Sequence, residues 1–284
     1  MASRPAGLGA VPAPAFFVAG AVSQYVGAAL AVVLFPYLGP LAVAWLRVGT
    51  SGALLWLLRG TPRRAAWDRP RRRAIAAFGV ALAAMNLCFY LAVERLPLGN
   101  AVAIEFLGPI VVAVVGTRTA RNVVALGLAV AGVVLLAEVQ WSASPSGVMF
   151  ALGSAVLWAG YIVLGARVAR SGAGPADGLD ALAWSMLIGS LAIAPAGLVG
   201  IALGEPTPVL VLGCAAVGVL SNVVPYGLDQ VILHRLRPEQ FALLLALLPA
   251  TAAVVGAVAL RQVPSVLESV GIGLVAAAVA ARER

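Results

Sequence analysis

The chain has 284 residues, 62% of them hydrophobic and only 11% charged, at a mean hydropathy of +1.02. A soluble domain carries about a quarter charged residues, so a water-soluble globule is excluded. The net charge of +8 comes from 19 basic side chains, all arginine. They lie between apolar runs and not on a solvated basic face, which excludes nucleic acid as the reason for the charge.

The apolar runs recur along the whole chain and predict an all-α polytopic membrane protein. Ten transmembrane spans are expected, at residues 16–34, 41–58, 74–93, 98–115, 123–137, 147–166, 179–199, 208–233, 241–260 and 265–281. A helix crosses the bilayer core in about 20 residues. The breaks are rich in Gly and Pro, such as Phe35-Pro-Tyr-Leu-Gly-Pro40 and Gly204-Glu-Pro-Thr-Pro208, and these residues punctuate helices. The first run is longer than a signal-peptide core, so no removable leader is expected. Cys88 and Cys214 both fall inside apolar runs and read as small packing residues, not ligands or a disulfide framework.

Arginine placement gives an orientation. With the first segment inside, sixteen arginines fall on the inner side, Arg95 and Arg261 fall outside, and Arg47 lies within a span. That asymmetry predicts cytoplasmic termini. The two halves also resemble each other. A shift of 140 residues sets Arg95-Leu96 on Arg235-Leu236, Pro109 on Pro249 and Gly116 on Gly256. Five spans per half is an odd number, so the second half enters the membrane upside down. The expected units are two inverted five-helix repeats, residues 1–139 and 140–284, an architecture that places a binding site near the midplane.

The stretch Leu98 to Gly116 holds the main candidate. Glu105 sits inside this apolar helix, with Gly108 and Pro109 within the next turn. A carboxylate there costs about 2.5–3.5 kcal/mol on insertion-based scales, so it is expected to face a partner or water. Pro109 and, in the second half, Pro249 are expected to kink their helices. Arg47 in the second span is the other intramembrane charge, at a depth similar to that of Glu105. Two readings stay open: a site for a zwitterion, with Arg47 on a carboxylate and Glu105 on an amine or a proton, or a structural ion pair. Asn86 and Tyr90 share one face of the third span, and Asn222 and Tyr226 share one of the eighth. Gln24 and Tyr25, and Trp158 and Tyr161, sit near mid-depth. All are candidates for lining a cavity or for packing. Asp229 and His234, near the inner end of the eighth span, read as interfacial, and Glu138 and Glu205 as outer-loop residues.

No phosphate-binding Gly-x-x-x-x-Gly-Lys loop and no metal-ligand spacing occurs in the sequence. No nucleophile and base assemble either, and Ser154 has no evident base. An enzyme is not expected, nor a cofactor or a metal.

These residues resemble the EamA-type transporters of the drug/metabolite transporter superfamily. Met85-Asn-Leu-Cys-Phe-Tyr-Leu-Ala-Val93, Pro97-Leu-Gly99, Ala101-Val-Ala-Ile-Glu-Phe-Leu-Gly-Pro109, Trp158-Ala-Gly-Tyr-Ile162 and Tyr226-Gly-Leu-Asp229 are most similar to the threonine and homoserine exporter branch. The resemblance implies a multi-pass inner-membrane exporter of small amino acids or related metabolites, coupled to proton entry. It maps the family's intramembrane glutamate to Glu105 and its Asn-x-x-x-Tyr stretch to Asn86 and Tyr90. The chain departs from the family at Leu248-Pro249, where Glu-Pro is frequent, and at Arg261-Gln262, where Gly-Glu is frequent. The alternatives are an exporter of drugs or nucleoside-like metabolites on the same fold, and a non-transporting membrane scaffold or lipid-handling protein.

Overall fold

A computed structural model describes residues 13–60, 67–116, 119–141, 143–171, 175–225, 228 and 244–281. Tyr226, Asp229 and His234 lie outside the described residues. The described residues are helical, with no strand among them. The helices are α1 (Ala13–Leu58), α2 (Arg69–Val93), α3 (Leu98–Glu105), α4 (Leu107–Gly116), α5 (Ala120–Trp141), α6 (Pro145–Arg170), α7 (Pro175–Leu203), α8 (Pro208–Gly218), α9 (Leu247–Leu260) and α10 (Val266–Ala281). A π-helical turn, Val219–Val223, continues α8. Six helical stretches among the described residues are long and apolar enough to cross a membrane, and α8 with its π turn, α9 and α10 are shorter apolar helices. Large apolar side chains remain exposed around the outside, as at Leu191, Val258 and Val266. A surface of this kind suits acyl chains and not water.

The first two expected spans are the two arms of α1. At about 1.5 Å per residue a straight helix of 46 residues would run roughly 70 Å, twice the hydrocarbon thickness. It is broken at Gly39, which adopts φ 69° and ψ 160° between Pro36 and Pro40. A positive φ favours glycine. The two arms double back on each other. Gly27 lies against Ser221, and Arg47 bonds the neighbouring Asn222. In a straight helix those two positions would lie about 30 Å apart.

The fourth expected span is also interrupted, one residue after Glu105. Phe106 is a turn between α3 and α4. Pro109 has no N–H to give the Glu105 carbonyl, which weakens the ladder at this point. The break therefore lies one turn before the proline. The same order recurs in the second half, with a turn at Ala246, a helix from Leu247 and Pro249 inside it. Glu138, expected in an outer loop, lies in the last turn of α5.

Helices of the two halves pack mainly on each other. α1 lies on α7, α2 on α6 and α7, and α5 on α10. Gly108 lets α4 meet α6 at backbone distance, since a Cβ there would stand 2.1 Å from the Ala155 carbonyl oxygen. That contact brings Glu105 against Ser154.

Candidate functional site

Between the halves lies a cavity of about 230 Å³. Arg47 from α1, Glu105 from the end of α3 and Asn222 from the π turn all open on it. A π turn displaces side chains from the α register and is frequent at functional sites. Of the residues singled out from the sequence, Gln24, Tyr25, Arg47, Asn86, Glu105, Trp158, Tyr161 and Asn222 line this one space. Leu245, 140 positions after Glu105, lines it too.

Arg47 is 8% exposed. Its Nη1 donates to Asn86 Oδ1 at 2.6 Å and its Nη2 donates to Asn222 Oδ1 at 3.0 Å. Asn222 Nδ2 donates to Ser51 Oγ at 2.8 Å, and Ser51 Oγ donates to the Arg47 carbonyl at 2.7 Å. Asn86 Nδ2 is held by the Leu82 carbonyl at 2.8 Å. The guanidinium thus bridges α2 of the first half and the π turn of the second. Its Nε has no partner among the described residues.

Tyr90 does not line the cavity. It is fully buried under Arg47, whose guanidinium carbon lies 5.2 Å from the ring centroid, and its hydroxyl has no partner among the described residues. The face of an aromatic ring favours a cation. Tyr90 therefore supports the arginine from behind.

Glu105 is 9% exposed. Its Oε1 accepts a hydrogen bond of 2.5 Å from Ser154 Oγ, which also reaches the Met85 carbonyl at 3.1 Å. Among the described residues no ion pair within 4.0 Å joins Glu105 to Arg47. Each charge is held by neutral partners, and both face one space. A buried charge that makes no close ion pair carries a desolvation cost that an incoming opposite charge would offset.

The remaining wall is aromatic and aliphatic. Trp158 meets Phe106 edge to face at 4.8 Å, and Tyr161 stacks on Phe78 at 4.7 Å. Ser154, without an evident base in the sequence, serves here as a hydrogen-bond donor, and its signal is spacing: Ser154, Trp158 and Tyr161 follow i, i+4, i+7 on one helical face. Two clusters at the ends of the helices have no counterpart among the residues singled out from the sequence. At the arginine-rich end, Arg71 donates to Asp177 and to Ser171 Oγ, Arg59 donates to Asp180 at 2.8 Å, and Trp67 donates to Asp177 at 2.9 Å. At the other end, Glu268 accepts from Asn100, from Gln140 at 2.6 Å and from the Ser265 backbone at 2.7 Å. The Ser265–Glu268 pair closes a capping box on α10.

Comparison with known proteins bears on what this arrangement serves. The EamA-like transporter family matches residues 145–281. The threonine/homoserine exporter RhtA of Escherichia coli (strain K12) is 35% identical over 258 residues, which cover 89% of this chain and 84% of the relative. The protein of the same name from Salmonella typhimurium (strain LT2) is 36% identical over 241 residues, covering 83% of this chain and 79% of the relative. A solved crystal structure shares the fold, with a TM-score of 0.62 at 18% identity over 94% of this chain and 95% of its own.

Proposed function

This chain belongs to the EamA-like transporter family, on the branch of the threonine/homoserine exporters, and we propose that it exports small amino acids of the threonine or homoserine kind, or related metabolites, by proton antiport. It is a transporter and not an enzyme. The observation that carries the reading is that Arg47 and Glu105 line one cavity, each held by neutral groups and with no ion pair within 4.0 Å between them among the described residues. Arg47 takes the substrate carboxylate, and Glu105 takes the amine or, in its absence, a proton. Exchange of one for the other on Glu105 couples export to proton entry.

Cavity size bears on the substrate. About 230 Å³ falls below the roughly 300–1,000 Å³ of pockets for drug-sized ligands. That supports a small metabolite over a drug or a nucleoside, although Phe89, Trp158 and Tyr161 give the wall an aromatic character.

The surrounding architecture in this reading is ten transmembrane helices in two inverted five-helix repeats, residues 1–139 and 140–284. The matching turns at Phe106 and Ala246, each three residues before a proline, support it. The halves rock about the cavity, which opens to each side in turn. The arginine asymmetry supports an inner-membrane placement with both termini in the cytoplasm.

The test is Glu105→Gln in reconstituted vesicles. The expected result is loss of flux driven by a pH gradient, with exchange of substrate for substrate reduced far less. Unchanged gradient-driven flux in the folded variant removes Glu105 from the coupling.

A further inference from the structure

An amino-acid carrier that separates hydroxylated substrates from apolar ones of equal size needs polar groups that are not already committed to the protein. Most of the polar wall is committed. Asn86 and Asn222 spend their carbonyl oxygens on Arg47 and their amide nitrogens on Leu82 and Ser51. Ser221 donates to the Gln24 carbonyl. Glu105 is bound by Ser154, and Arg47 and Glu105 are the groups for the substrate's charged ends.

Apart from Trp158 and Tyr161, which has an interaction of its own, two adjacent residues of α1 remain. Gln24 and Tyr25 line the cavity, and neither the Gln24 side-chain amide nor the Tyr25 hydroxyl has a hydrogen-bond partner among the described residues. Unlike the Tyr90 hydroxyl, that of Tyr25 is not sealed in the wall. A substrate hydroxyl both donates and accepts, and each of these groups can do both. The indole N–H of Trp158 can only donate.

The geometry points to Gln24 and Tyr25 as the pair that reads the substrate's side-chain hydroxyl and so favours hydroxylated amino acids over apolar ones of the same shape. The assignment rests on the amino-acid export reading above. The physical basis is asymmetric. A hydroxyl satisfies the two groups, whereas a methyl in its place leaves them desolvated and unpaired, and such sites discriminate strongly. Replacing the polar reader by an apolar isostere removes that penalty, so the apolar substrate gains while the hydroxylated one loses.

The experiment compares threonine with its isostere valine, and homoserine with norvaline, in vesicles holding the full chain. Wild type, Gln24→Leu and Tyr25→Phe are measured side by side. The expected result is a wild-type preference for the hydroxylated member of each pair that falls about tenfold or more in Gln24→Leu. Tyr25→Phe, which deletes one oxygen, shows the same direction, and in both variants valine flux is kept or raised. Wild-type preference with both variant ratios unchanged overturns this assignment and leaves the export reading standing. Equal loss of threonine and valine flux in both variants gives the pair a packing role and also overturns it. Wild type that moves no amino acid overturns the export reading and the assignment with it.

Discussion

At the scale of single residues, the arginine in the cavity wall matters for its shape as much as its charge. Arg47 reaches Asn86 on one side and Asn222 on the other, so a planar fork spans two helices. Lysine carries the same charge as a point on a flexible stem and lacks the planar fork that matches both amides. Arg47→Lys is therefore expected to raise the KM for amino-acid substrate about tenfold or more while the protein still folds. Counterflow in proteoliposomes measures it, with thermal unfolding in detergent as the folding control. An unchanged KM would show that the fork does not meet the substrate. The residues that were legible from the sequence, Arg47 and Glu105, are legible because lipid depth makes any charge expensive. What the sequence could not supply is who holds them. Asn86 reads as a lining group, yet its oxygen is spent on Arg47. Ser154 reads as inert, yet it is the donor to Glu105. Pairing across 39 or more positions of chain leaves no local spacing to read.

At the scale of elements, breaks and close approaches place the charges. The turn at Phe106 ends α3 at Glu105. The Gly108 contact with Ala155 then fixes α4 against α6 beside Ser154. Gly108→Ala would put a methyl 2.1 Å from a backbone oxygen that cannot swing away. Overpacking of this kind costs about 1–3 kcal/mol. The expected outcome is a lowered thermal midpoint together with weakened transport, because Ser154 moves with α6. Gly160→Ala, on the same helix as Ser154 but with nothing within 4 Å, is the control and is expected to be tolerated. Equal midpoints for the two variants would mean that the helices have room to part. The apolar runs and the Gly–Pro breaks carry this level of structure well. They place the proline of α4 correctly but not the interruption, which falls a turn earlier, where the carbonyl left without a donor sits. They also place the bend of α1, since Gly39 lies within the Phe35–Pro40 break between the first two expected spans.

At the scale of the whole molecule, the cavity lies between halves that are tied at both ends by different chemistry. The arginine-rich end is tied by ions: Arg71 to Asp177 and Arg59 to Asp180 join α2 and the turn after α1 to α7. The other end is tied by neutral amides around Glu268, joining α3 and α5 to α10. Arginine counts make the first end visible in the sequence as a topology signal, but Arg71 is buried and engaged, which counting does not reveal. A carrier that opens one end at a time requires ties that release independently. Asp177→Asn tests this independence. It leaves Arg71 buried with only neutral partners, at a cost of about 1–3 kcal/mol for the hydrogen-bonded charge it loses. The expected result is faster amide exchange in the first turns of α2 and α7, with the start of α10 and the end of α5 unchanged, read by hydrogen-exchange mass spectrometry. Protection lost equally at both ends would mean that the halves separate as one cooperative unit. Ends that release together cannot alternate, so that outcome would count against a rocking carrier even if the cavity and its two charges stayed intact.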